Sequence, residues 1–176
     1  EKYINHIIKT KQHPAFKSIA LLSSHIKATH SLEEAVPDSK LIILAIPSMF
    51  MRSALKDFKP YLKKGMILLN IAKGLENKTN MTMSEVIKDE LKNVKIKYHI
   101  CSLSGGMIAK EVVLKNPLCA EVACKDIGIA RKVAKILESQ ETLRNKRFGC
   151  REGELLQARG VSLSLGKFAH GALVLV

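Results

Sequence analysis

The chain has 176 residues, 47% of them hydrophobic and 26% charged, a balance that suits one globular domain with a sizeable core and excludes a disordered polymer. Its formal charge of +13, from 29 Lys and Arg against 16 Asp and Glu, admits a phosphorylated small molecule, nucleic acid or an anionic lipid surface as partner. With no Trp, three Tyr and five scattered Phe it lacks the grouped aromatics of a base-stacking platform, which argues against nucleic acid; a lysine-rich solvated surface accounts for the charge most plainly.

Cys101, Cys119, Cys124 and Cys150 form no CxxC pair and no His spacing that suggests zinc, so no metal site is expected and the thiols read as buried. No signal peptide is evident and no apolar run reaches the length of a membrane span, which points to a reducing cytoplasm. The first residue is Glu1 rather than Met, a hint that sequence precedes it.

In chain order, Ile26 to Thr29 reads as a short strand, and Ser31 and Glu34 form a capping box that opens a brief helix. Residues 41 to 46 (LIILAI) and 66 to 72 (MILLNIA) are continuous Ile- and Leu-rich runs, as expected of strands buried on both faces of a parallel sheet. Between them, Ser48 is placed to cap a helix whose apolar positions Phe50, Met51, Ala54, Leu55 and Phe58 recur at three and four. Thr82 and Glu85 form a second capping box, leading a helix to about Leu91 before a strand at 96 to 102. A further strand is expected at 118 to 124 (LCAEVAC), with Asp126 capping a helix to about Glu138. Beyond Asn145 the periodicity decays, and the last residues suit a helix, a strand pair or an edge segment equally. Strands and helices alternating at this spacing predict an open α/β sheet, mostly parallel and covered by helices.

In such a sheet, ligands gather beyond the carboxyl ends of the strands, so three loops are the candidates. Ala45-Ile46-Pro47-Ser48 offers free backbone amides to a phosphate or cofactor edge, although a proline that simply stops a strand explains it as well. In Asn70-Ile71-Ala72-Lys73-Gly74-Leu75-Glu76, one lysine emerges from an apolar strand beside a glycine; its ammonium suits a phosphate or an alkoxide. Ser104-Gly105-Gly106-Met107-Ile108-Ala109-Lys110-Glu111 pairs two glycines with a helix start, or is a plain turn.

Taken in order, HPAFKSI, IKATHSLEEAV, LIILAIPSMFMRSAL, FKPYLKKG, NIAKGLENKT, MSEVIKDEL, SGGMIAKEVVLKNP and TLR resemble the bacterial NAD(P)-dependent glycerol-3-phosphate dehydrogenases from about Tyr3 to Arg144. NIAKGLE followed by the SG and AKEV strings is fairly specific to that family, whereas LIILAIPS also suits the 6-phosphogluconate dehydrogenases. The resemblance implies an incomplete Rossmann-like doubly wound sheet over residues 1–144 and a divergent or truncated tail, or reading-frame scar, over 145–176. It implies reversible hydride transfer between NAD or NADP and sn-glycerol 3-phosphate, giving dihydroxyacetone phosphate, within glycerophospholipid metabolism. A homodimer is one assembly it allows.

Residue by residue, the resemblance gives Lys73 contacts to cofactor and substrate, Gly105 and the position of Met107 to substrate, and Ala109 to cofactor; Pro47, in the loop after the first strand, is a further cofactor candidate. Lys167, following Gly160-Val161-Ser162-Leu163, resembles the family's catalytic lysine in its GVELGGALKN helix. Two departures stand out. No GxGxxG string is present to receive a pyrophosphate. Gly106 and Met107 replace the family's proline and serine, and a thioether cannot donate the hydrogen bond of a hydroxyl. A noncatalytic α/β paralogue that binds a phosphorylated metabolite or a protein partner is the alternative, with a basic nucleic-acid binder behind it.

Overall fold

A computed structural model describes residues 2–12, 25–105, 118–137, 143–149 and 172–175. Six strands make one sheet: β1 (Leu41–Leu44), β2 (Ile67–Asn70), β3 (His99–Ser104), β4 (Leu118–Cys124), β5 (Leu143–Gly149) and β6 (Ala172–Leu175), ordered β5-β4-β3-β2-β1-β6. The helices are α1 (Lys2–Thr10), α2 (Leu32–Ala35), α3 (Met51–Phe58), α4 (Met83–Glu90) and α5 (Ile127–Leu137). The pairings β1 with β2, β2 with β3, β1 with β6 and β4 with β5 are parallel; β3 with β4 is antiparallel. The expected mostly parallel α/β architecture is therefore present.

The two Ile- and Leu-rich runs become strands because both of their faces are covered. Ile42, Leu44 and Leu68 join Met51, Leu55, Phe58, Val86 and Ile87 in one core under α3 and α4. Leu41, Ile43, Ile67 and Leu69 turn the other way, to Val122, Ala130, Val133 and Leu137 under α5. Alternate residues of one strand thus feed opposite cores, and each fully buried Leu or Ile contributes about 1.5–3 kcal/mol.

Three expectations are corrected. Ile26 to Thr29 joins no strand; it lies beside the end of α1, where the Lys11 ammonium donates to the Ile26 carbonyl at 3.0 Å. Ser48 does not cap a helix through its side chain: it opens a 3-10 turn, Ser48–Phe50, that precedes α3. That turn rotates Phe50 out of the apolar face, leaving it 55% exposed, while Met51, Leu55 and Phe58 are buried as expected.

Both capping boxes open helices, but only one is reciprocal. Thr82 accepts from the Glu85 amide, and Glu85 accepts from the Thr82 amide at 2.8 Å. Ser31 accepts from the Glu34 amide at 3.3 Å, yet the Glu34 carboxylate accepts instead from the Thr29 hydroxyl at 2.8 Å. Asp126 caps α5 as expected, accepting from the Gly128 and Ile129 amides at 2.9 and 3.2 Å. The final residues include an edge strand, β6, aligned on β1 from Leu41↔Ala172 to Leu44↔Leu175, and β5 extends the opposite edge. No helix among the described residues is long and apolar enough to cross a membrane.

Candidate functional site at the carboxyl rim of the sheet

Because β1, β2 and β3 are parallel neighbours, their carboxyl ends open on one rim. Asn70, the last residue of β2, faces Ser102 of β3, so Lys73, three residues past Asn70, and Gly105, three past Ser102, leave the sheet from the same side. The segment 45–48 leaves β1 there too, and the two neighbouring exits meet: a Cβ placed on Gly74 would lie 3.8 Å from the Ser48 hydroxyl.

Local chemistry shapes each exit. The Asn70 side chain is buried and accepts from the Ala72 amide at 3.0 Å, a side-chain turn that steers the backbone out of the strand. Gly74 has φ +89° and Gly105 φ +130°, conformations that disfavour any residue with a Cβ. Lys73 is exposed on the resulting loop. Pro47 is exposed and precedes the 3-10 turn, while Met49 and Phe50, 72% and 55% exposed, put apolar surface beside it.

The loop after β2 is held from outside by Arg52. Its Nε and Nη2 donate to the two carboxylate oxygens of Glu76 at 2.6 and 3.1 Å, and its Nη1 donates to Asp89 at 2.6 Å, with Glu90 at 3.6 Å. The Thr79 hydroxyl adds a hydrogen bond to Glu76, and Leu75 bridges Thr82, closing the excursion on itself. The guanidinium holds both carboxyls below their ordinary range: Glu76 through its bond from Arg52 and then Thr79, Asp89 through Arg52 and then Lys92. The same two acids push Arg52 further up.

Beneath the rim, the Ser84 and Ser102 hydroxyls share a buried 2.7 Å hydrogen bond between α4 and β3. The Ser104 hydroxyl is buried without a hydrogen-bond partner among the described residues. Nor do any three His, Cys, Asp or Glu among those residues gather to hold a metal ion.

Of the residues singled out from sequence, the fold thus brings Lys73, Gly105 and Pro47 to one rim; Met107, Ala109 and Lys167 lie outside the described residues. Sequence reasoning missed the Arg52 clamp and the exposed Met49 and Phe50. The residues present suit an anion, through Lys73, and an apolar ring edge, through Met49 and Phe50. They do not supply a glycine-rich cradle for a pyrophosphate, since none of the ten glycines stands in a GxGxxG string.

Comparison with known proteins agrees with this architecture. The chain is 36% identical over 133 residues to a glycerol-3-phosphate dehydrogenase (NAD(P)+) of Listeria monocytogenes, covering 76% of this chain and 39% of that protein. It is 42% identical over 117 residues to one of Clostridium botulinum, covering 66% and 34%. The chain therefore spans well under half the length of these relatives. The solved glycerol-3-phosphate dehydrogenase of Coxiella burnetii shares the fold with a TM-score of 0.74 at 18% identity, over 83% of this chain and 43% of that one. The family described as NAD-dependent glycerol-3-phosphate dehydrogenase N-terminus matches residues 1–130, and the chain belongs to it.

Proposed function

We propose that this chain contributes the nucleotide-domain part of a glycerol-3-phosphate dehydrogenase, acting on sn-glycerol 3-phosphate and dihydroxyacetone phosphate with NAD or NADP. The observation that carries the proposal is the shared exit of Lys73 and Gly105 from adjacent parallel strands. A bound nicotinamide cofactor would supply the hydride acceptor. Lys73 holds the substrate phosphate or the developing alkoxide as a compact cation, and the Gly105 backbone permits close approach of the triose. Met49 and Phe50 exclude water from one side. Pro47 and Ala109 border the cofactor and Met107 the substrate. Lys167 passes the proton between its amine and the substrate oxygen. Residues 1–144 form the nucleotide-binding unit and 145–176 its divergent tail, in a cytoplasmic protein that can pair as a homodimer.

Gly106 and Met107, standing where the family has proline and serine, favour one second reading, a noncatalytic relative that binds a phosphorylated metabolite or a protein partner. Thermal unfolding separates the two. A ligand at about 100 times its Kd adds about 2.7 kcal/mol, or roughly 5–11 °C for a chain of this size. The dehydrogenase reading expects protection by NADH or NADPH and a further rise with glycerol 3-phosphate that Lys73→Met removes. Protection by glycerol 3-phosphate alone selects the second reading. No protection by any of these at millimolar concentration overturns both.

A further inference from the structure

Cys101 of β3 and Cys124 of β4 stand directly opposite each other across the sheet's antiparallel junction. Opposed residues in such a pair hold their Cα atoms about 4.5–5.5 Å apart, within the roughly 4.4–6.8 Å that a disulfide spans. Both thiols are reduced, and both turn into the core beneath α5, with Val122, Ala130 and Val133. Their surroundings differ. Cys101 is 1% exposed in the middle of its strand; Cys124 is 6% exposed at the end of β4, beside the exposed Lys125 and Asp126. A hydrogen bond from Cys101 makes Cys124 the easier thiol to ionise, against its burial and with help from the backbone amides of Asp126 and Lys125. The same contact, together with burial, pushes Cys101 the other way. The pair thus sets two thiols side by side, with Cys124 the nearer to solvent.

We propose that Cys101 and Cys124 form a dithiol oxidised by hydroperoxides to a cross-strand disulfide. The Cys124 thiolate attacks one peroxide oxygen; an S–O bond forms, the O–O bond breaks, and the second oxygen leaves as hydroxide or alkoxide. Cys101 then attacks the Cys124 sulfur, so that the S–S bond forms, the S–O bond breaks, and the oxygen departs with the Cys101 proton as water. Two electrons pass from the sulfurs to the peroxide. The new bond fastens the strand that runs on into Ser104 and Gly105 to its antiparallel neighbour. This chemistry is independent of the dehydrogenase reading.

The test is to expose the purified, reduced chain to hydrogen peroxide, quench with an alkylating agent under denaturing conditions, and map the linked peptides by mass spectrometry. A dominant Cys101–Cys124 link, reversed by dithiothreitol, is expected. In Cys101→Ser the sulfenic acid has no resolving thiol, so dimedone labelling of Cys124 rises about tenfold over the unsubstituted chain. The proposal is overturned if peroxide gives no Cys101–Cys124 link, if links through Cys119 or Cys150 predominate, or if labelling of Cys124 is unchanged in Cys101→Ser. Mapping of the unsubstituted chain decides the first two outcomes whether or not the variant folds.

Discussion

Replacing Arg52 by Met should release the loop that carries Lys73, because the side chain ties three carboxylates from two elements to α3. A charge-assisted hydrogen bond in an interior is worth about 1.5–3 kcal/mol and an exposed ion pair about 0–1 kcal/mol. With the Arg52 side chain 29% exposed and Glu76 16%, the two-pronged contact belongs between these limits. We therefore expect Arg52→Met to cost about 1–2 kcal/mol in urea denaturation and to lower Tm by about 2–8 °C. Arg52→Lys keeps the charge and loses the fork, so it should recover only part of this. In a double-mutant cycle with Glu76→Gln, the coupling should be about 1 kcal/mol, and amide exchange from Glu76 to Met81 should accelerate in Arg52→Met. The pH dependence has a definite sign. Because the folded carboxyl titrates below its ordinary 4.5, its contribution is fully present above about pH 4.5 and disappears as pH falls through the lower folded value. The stabilities of the unsubstituted chain and Glu76→Gln should accordingly converge in acid. Zero coupling, or a gap that persists unchanged in acid, refutes the clamp.

Two further substitutions probe the same rim. Gly74→Ala should cost about 1–2 kcal/mol in urea denaturation from backbone strain alone, because φ is +89° while the added Cβ meets nothing closer than the Ser48 hydroxyl at 3.8 Å; a neutral result would show that the loop relaxes freely. Ser102→Ala should cost about 1–3 kcal/mol by stranding the buried Ser84 hydroxyl, and Ser84→Ala combined with it should add little; additive losses would mean that the 2.7 Å hydrogen bond is not the coupling between α4 and β3.

The legible parts of the fold are those whose cause is local. LIIL and ILLN announce strands buried on both faces through composition alone, and Thr82 with Glu85 announces a helix start three residues long. Ile26 to Thr29 has β-forming residues too, but a strand also needs a neighbour, and no ladder among the described residues reaches it. The strand at 118 to 124 is equally visible in LCAEVAC, yet its antiparallel direction is not, since hydrophobic pattern is blind to polarity. Ser48 has the right residue type for a cap and fails because the chain tightens into a 3-10 turn after Pro47. The Arg52 clamp was invisible for a different reason: its partners are 24 and 37 positions away, and one Arg among many basic residues carries no local signature.

A single asymmetry of the sheet sets its carboxyl rim apart. Along β1 and β2 every residue is buried and apolar until Asn70, and on β3 the face toward α4 turns polar at Ser102 and again at Ser104. Buried polar groups are costly unless bonded, so each position has a local remedy: Asn70 binds the Ala72 amide and Ser102 the Ser84 hydroxyl. Ser104 has none among the described residues, and it directly precedes Gly105 with its left-handed φ. A buried hydroxyl and a disfavoured backbone conformation therefore coincide at the carboxyl end of β3, one strand from Lys73. A fold selected for stability alone gains nothing from concentrating such costs. A fold that receives the proposed charged ligand against its backbone does, provided that the loop bearing Lys73 is fastened elsewhere, and the guanidinium of Arg52 provides that fastening without occupying the rim.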